Sequence, residues 1–444
     1  MRNLTLIIAI FILVSMIPLS SFAQNNWQER EKVRSLPVGE TNRPLRAKQN
    51  ITLTVGQTEG DLRGTDDRII QAGIDYLSRL GGGTLQILPG VYNIKNAIYL
   101  SSNITIKGSG ESTVLKMAAG FVTPIIRNMD GGEFGVQVKD PSGFTPGRGI
   151  MLRTTAKAAW AIDVFKATVT RIDGDIVYFD RIANKDFQLV KKCTAATIYP
   201  LLTAENADNV TVEDLVLDGN KAMNEHINGN FSGAVFLHYC NNWNFKNVTA
   251  KDYDGDGFSW QTCNDIHFDN CKALNNTDLG FHPGTGSQRP VIANCISNGN
   301  SQGIYFCWGV SDGFVENCSL KDNVLYGISI GHRDTDNLIQ NSLIENNKEV
   351  GILFRKDEDD DFFAGNRNLI RNCIIKDNGS DNKGIGIDVR KGTKDITFEN
   401  NKFINSQNGN QKTGIQISKD AERIKSAGNT FERTDTEIKN LTER

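Results

Sequence analysis

A glycine-led stretch recurs through the second half of the chain at an almost constant interval. GAVFLHYC starts at Gly233, GFSWQTC at Gly257, GFHPGTG at Gly280, GIYFCWG at Gly303, GISIGHR at Gly327 and GILFRKD at Gly351, in steps of 24, 23, 23, 24 and 24 residues. GIGIDVR at Gly384 and GIQISKD at Gly414 continue the series with longer steps. A second marker keeps phase with the first: Asn247, Asn270, Asn294, Asn317, Asn341, Asn372 and Asn400, in contexts such as FDNC, IANC, VENC and IRNC. Each unit holds two or three short β-rich runs separated by Asn, Asp and Gly, too short for a helix pair. One unit cannot bury its apolar residues alone, whereas stacked units pair every strand with its counterpart above and below and share one core. The predicted fold is therefore all-β, a right-handed parallel β-helix, with the recurring asparagines forming a ladder along one turn.

With 444 residues, 39% hydrophobic and 23% charged, the chain has ample material for such a core. A formal charge of −3 and the lack of a Lys/Arg cluster remove any bulk attraction to nucleic acid or an anionic membrane. The eight cysteines show no CxxC or Cys/His spacing. Cys271, Cys295, Cys318 and Cys373 each follow a repeat asparagine and read as stacked core thiols, so no metal site is expected from them.

The N-terminus, MRNLTLIIAIFILVSMIPLSSFAQ, combines Arg2, an apolar run and Ser21-Phe22-Ala23 before Gln24, so residues 1–23 read as a secretory signal peptide and the mature protein as exported, periplasmic or extracellular. Residues 24–50 are polar and unpatterned, a linker. Residues 51–120 hold an N-terminal cap and the first coils, and 201–430 the main stack, leaving 431–444 as a tail. Residues 121–200 break the rhythm: PSGFTPGRGIML and ATVTRIDGDIVYFDRI read as antiparallel strands, a small β-rich insertion able to shape a substrate groove.

The stretch TEGDLRGTDDRIIQAGIDYLSRLGGGTLQILPGVYNIKNAIYLSSNITIKGSG, residues 58–110, places paired aspartates before an amphipathic helix, then GGG, a strand, PGVY and a further strand. It resembles the N-terminal segment of the pectate-lyase-like superfamily of β-helix proteins. The resemblance implies a capping helix, whose Ile69, Ile70, Ile74 and Leu77 share one face that can plug the open end of the stack. It implies architecture over residues 51–430 and leaves the reaction open, because that superfamily includes lyases, hydrolases, epimerases and noncatalytic binders.

Strand alternation turns the repeat into a map. The column after each glycine (Phe258, Phe281, Ile304, Ile328, Ile352, Ile385, Ile415) and the column two further on (Trp260, Pro283, Phe306, Ile330, Phe354, Ile387, Ile417) are apolar and face inward. Between them, Ser259, His282, Tyr305, Ser329 and Leu353 face out, as do Gln261, Gly284, Cys307, Gly331, Arg355 and Asp388 beyond. Trp308, His332, Arg333 and Gln288 lie just beyond on the same face, and Asp254 and Asp256 precede Gly257. Coils stack about 4.8 Å apart, which puts His282 and His332 roughly 10 Å apart along the axis with Tyr305 between them. The interruption at GFHPG is expected to open a pocket around His282, with Gly284 to Ser287 leaving room for a ligand. His226, His238 and His267 read as surface residues.

An elongated groove suits a polysaccharide. For a uronate, β-elimination needs a cation at the carboxylate, a base for the C5 proton and an acid for the leaving oxygen. The candidate catalytic set is His282, His332, Tyr305, Arg333 and Asp256; the candidate substrate contacts are Trp308, Arg355, Gln261, Ser259, Asp254, Gln288 and Asp388. The expected function is a polysaccharide lyase. The alternatives are C5 epimerisation with the same parts, a glycoside hydrolase using an aspartate pair from Asp254, Asp256 and Asp278, and a noncatalytic carbohydrate-binding surface protein using Tyr305 and Trp308 as sugar platforms. Asn276-Thr277-Asp278 resembles the first motif of polygalacturonases, but Asn300-Ser301-Gln302 stands in place of that family's paired aspartates and Gly331-His332-Arg333 in place of its glycine-histidine-glycine. FHPG likewise departs from the Asp-Pro-His signature of mannuronan epimerases. No cofactor is called for, although carboxylates of the DEDDD run at 357–361 could hold Ca²⁺. A capped stack has no need of a partner, so a monomer is expected.

Overall fold

The structure is a computed structural model that describes residues 51–356 and 364–442. The expected leader, the linker and the DEDDD run lie outside the described residues. Parallel strands one coil apart pair in register to build a 22-stranded and an 11-stranded sheet around one apolar core. The fold is a right-handed parallel β-helix. Helix Asp67–Arg79 caps its start: Asp66 accepts from Arg68 N at 3.2 Å, and Ile70, Ile74 and Leu77 are buried. The parallel pairing continues beyond 430, where Thr436–Asn440 pairs with Gln411–Ile417, so the expected tail contains the last strand of the stack.

The repeat asparagines share a left-handed backbone, with φ between 51° and 57° at Asn247, Asn270, Asn294, Asn317, Asn341, Asn372 and Asn400. Asparagine tolerates that conformation, and this explains their recurrence. They lie at exposed turns, with side-chain bonds such as Asn270 Nδ2 to Asn247 Oδ1 at 2.8 Å. A second, buried ladder runs through Asn276, Asn300, Asn323, Asn347, Asn378 and Gln411. Each amide oxygen there accepts the backbone N–H of the residue one coil earlier, as Asn300 Oδ1 does from Asn276 N at 2.9 Å. The eight cysteines are buried free thiols.

Six antiparallel strands between Val122 and Ala196 form a separate sheet with its own apolar cluster around Phe165, Val177 and Phe187. This insertion stands against the first strands of the 11-stranded sheet, Ile98–Tyr99, Leu202–Glu205 and Gly233–His238.

Candidate functional site

The central outward column of the 11-stranded sheet runs Tyr99, Thr203, Phe236, Ser259 and His282, then Tyr305, Ser329, Leu353, Asp388, Gln416 and Lys439. Asp388 pairs with Leu353 and thus belongs to this column rather than to that of Arg355. The lengthened coil after Gly351 shifts the register by two residues: Ile352 pairs with Ile387, and Ile385, aligned instead with Val350, is only half-buried.

The middle of this column is covered. Asp256, Ser259 and His282 are buried beneath residues 224–232, whose Gly229 carbonyl accepts from Ser259 Oγ at 2.7 Å. His282 Nδ1 lies 2.7 Å from Asp256 Oδ2. Burial alone disfavours the imidazolium, but the Asp256 carboxylate, with a smaller contribution from the Cys307 thiol, raises His282 to about 10. Burial pushes the Asp256 carboxyl upward, against the pull of His282. With its Nδ1 taken up by Asp256 and its imidazole raised, His282 is disfavoured as a base near neutral pH. The same contact withdraws Asp256 from a hydrolytic carboxylate pair. Asp254 and Asp278 remain half-buried, and Asp278 Oδ2 sits 2.8 Å from His226 Nε2. That hydrogen bond raises His226, which lies at the surface as expected and meets Asp278 there.

The expected pocket beside GFHPG is filled. Gln261 lies where a side chain at Gly284 would be, with a Cβ there only 2.1 Å from Gln261 Nε2, and Gln261 Oε1 accepts from Thr285 N at 2.9 Å. Gln288 bonds the turn carbonyls of Gly286 and Gly309 at 3.0 and 2.9 Å.

His332 does not share a column with His282. His282 meets Tyr305 edge-on at 5.6 Å between ring centroids, whereas His332 stacks on Trp308 at 5.2 Å. Trp308, His332 and Arg333 lie in turns with φ of 60°, 48° and 68°. Those turns are held by Asp334, which accepts from Gly309, Val310 and Gly331 N at 3.1, 3.0 and 2.9 Å. Burial pushes the Asp334 carboxyl up to about 6. Arg355 is built into the same cluster: it donates to Ser329 Oγ and Phe306 O, each at 2.7 Å, and to Asp334 Oδ2 at 3.2 Å, with its guanidinium carbon 4.1 Å above the Tyr305 ring. These bonds leave it poorly placed to clamp a substrate carboxylate.

The open space lies at the other end of the column. A cavity of about 650 Å³ separates the insertion from the first coils, lined by Tyr99, Thr203, Phe236, Glu205 and His238 from the stack, Lys166, Arg181 and Lys185 from the insertion, and Asn230 and Phe231 from the segment between. Lys166 Nζ donates to Phe231 O at 2.7 Å and stands 4.1 Å over the Phe236 ring. Burial lowers it to about 8. Arg181 pairs with Asp180 at 3.1 Å and approaches the Tyr99 ring at 5.8 Å. Burial, with a smaller contribution from Lys166, lowers His238 against the raising effect of Glu205, so its imidazole is neutral near pH 7. Burial raises the Tyr99 phenol, which therefore keeps its proton. His238, expected at the surface, instead lines this cavity. Its place in the alternation, two residues beyond Phe236, was readable, but the cations facing it come from a segment with no periodic relation to the repeat.

Among the described residues no cluster of His, Cys, Asp and Glu could hold a metal, and no helix is long and apolar enough to cross a membrane.

These features define a right-handed parallel β-helix with a β-rich insertion walling a cationic cavity on its 11-stranded sheet. The family described as "Right handed beta helix region" matches residues 233–379 and 336–431. Among solved structures the chain is similar to the A-modules of two Azotobacter vinelandii mannuronan C-5 epimerases. With the AlgE6 module it shares 17% identity at a TM-score of 0.54, covering 84% of this chain and 91% of that one. With the AlgE4 module the values are 16%, 0.55, 83% and 92%. The Streptococcus pneumoniae surface protein and adhesin PfbA is similar at 15% identity and a TM-score of 0.50, covering 84% and 95%. At these identities the likeness is one of fold. No curated protein matches the chain.

Proposed function

We propose that the protein is an exported enzyme acting on a uronate-containing polysaccharide by removing the C5 proton of an acidic sugar seated in the cavity, with β-elimination as the outcome. The observation that carries this reading is the meeting of Lys166 and Arg181 with a neutral His238 and a protonated Tyr99 around one space. The cations pair with the carboxylate and stabilise the negative charge that builds on it as the C5 proton leaves. His238 takes that proton. The electron pair forms the C4–C5 double bond, the C4–O bond breaks, and Tyr99 protonates the departing oxygen. Reprotonation at C5 from the opposite face would give epimerisation instead, so the assay must separate the two.

The full chain is incubated with polyuronates of several kinds, following ultraviolet absorbance of the unsaturated product and, separately, reducing ends. Elimination raises both, hydrolysis raises reducing ends alone, and epimerisation raises neither while changing the sugar stereochemistry seen by NMR. Activity that survives in both His238→Asn and Lys166→Met would contradict the assigned site.

A further inference from the structure

Two neighbouring strands of the 11-stranded sheet bring a carboxylate beside the histidine of the cavity. Glu205 ends Leu202–Glu205 and His238 ends Gly233–His238, and the parallel register sets the two residues side by side. Glu205 Oε1 lies 3.8 Å from His238 Nδ1. The plane of the imidazole is fixed by Tyr239, whose ring stacks on it at 3.9 Å between centroids and 28° between planes. Consecutive residues of a strand point to opposite faces. The left-handed backbone at Tyr239, with φ of 53°, ends the strand and lets the two rings meet.

Glu205 is the one carboxylate among the described residues lining the cavity, where Lys166, Arg181 and Lys185 supply three cations. Arg181 and Lys185 are balanced from within the insertion, by Asp180 at 3.1 Å and Asp163 at 3.3 Å. A proton accepted by His238 adds a fourth positive charge to this space. Burial opposes that charge most, Lys166 opposes it further, and Glu205 favours it. Gln261, which pairs with His238 from the next strand, is neutral.

We propose that Glu205 is a positioning residue for the base: its carboxylate draws the ring proton to Nδ1, leaves the Nε2 lone pair to take the C5 proton, and offsets the imidazolium that results. This rests on the reading of the cavity as a uronate site. The same carboxylate repels the acidic sugar that it helps to convert. Glu205 therefore weakens binding while it speeds turnover, a combination that a residue merely supporting the cavity wall does not produce.

Glu205→Gln keeps the shape of the side chain and removes its charge. Glu205 is 66% exposed, so the comparison is made at low ionic strength, where its charge is least screened. On a polyuronate, kcat is expected to fall about tenfold while KM also falls, and the acidic limb of kcat/KM moves to lower pH. A second readout needs no substrate. In the full chain carrying isotope-labelled histidine, the His238 ring signal, assigned by its loss in His238→Asn, is expected to titrate at lower pH in Glu205→Gln than in wild type. An unchanged titration overturns the coupling of the two side chains and the role with it. A shifted titration with kcat unchanged, or with kcat lowered and KM raised, overturns the positioning role and leaves the cavity reading standing. Failure of the wild-type chain to turn over any polyuronate overturns the cavity reading and the role together.

Discussion

Lys166 donates to the Phe231 carbonyl at 2.7 Å, tying a cation of the insertion to the segment that leads into the main stack. The contact places the ammonium at the wall of the cavity rather than in bulk water, and burial there lowers it to about 8. A charge held in that position is costly in the free protein and gains most from an anionic partner.

Lys166→Met keeps the length and apolar stem of the side chain and removes its charge. We expect kcat/KM on a polyuronate to fall by about 10²-fold or more, the usual scale for losing one electrostatic contact to a charge that develops in the transition state. Thermal melting should stay close to wild type, since the lost bond is to a single carbonyl.

The two titrations set a window for activity. His238, lowered below its ordinary 6.5, must be neutral to accept a proton, so kcat/KM rises with pH on a limb lying below that value. Lys166 must be charged, so the alkaline limb falls near pH 8. Lys166→Arg should move the alkaline limb upward, because a guanidinium stays charged throughout. Stopped assays over about pH 4.5–10 read out both limbs.

The buried His282–Asp256 pair makes a separate prediction about stability. An imidazole held at about 10 in the fold and near 6.5 when unfolded contributes stabilisation that is complete below about 6.5 and lost as pH rises through about 10. The melting temperature should therefore decline over this range, and the decline should flatten in His282→Gln. Asp256→Asn leaves the imidazole without its carboxylate and should cost about 3–5 kcal/mol at neutral pH. Denaturant melts of the two variants measure both effects.

The buried amide ladder should be far more sensitive than the exposed one. Asn323 accepts from Asn300 N at 3.1 Å and donates to Ser297 O and Asn347 Oδ1 at 3.2 and 2.8 Å. Asn323→Ala orphans these groups inside the stack, at about 1–3 kcal/mol for each one left unpaired. Asn294→Ala, at an exposed turn, loses mainly its tolerance of the left-handed backbone and should cost about 1 kcal/mol. Melting curves of the two variants rank them.

The stack was legible in the glycine and asparagine repeats because each coil must place the same residue type at the same turn. The register was legible as far as Gly351, and it slipped at Asp388 because the coil after that glycine is longer than the period. Alternation correctly sent Ser259, His282 and Tyr305 outward. It said nothing about residues 224–232, which precede Gly233 and carry no periodic signal, so a face read as exposed is partly buried. The link between His238 and Lys166 was invisible for a related reason. It joins a repeat position to an insertion strand, and only the packing of the insertion on the first coils brings the two together.

The most direct test of the central claim is calorimetric titration of the full chain with an oligouronate and with the same oligosaccharide after reduction of its carboxylates. The account predicts binding of the acidic form, loss of most of that affinity in Lys166→Met, and little binding of the neutral form. Equal binding of the two forms, or unchanged affinity in Lys166→Met, would contradict it.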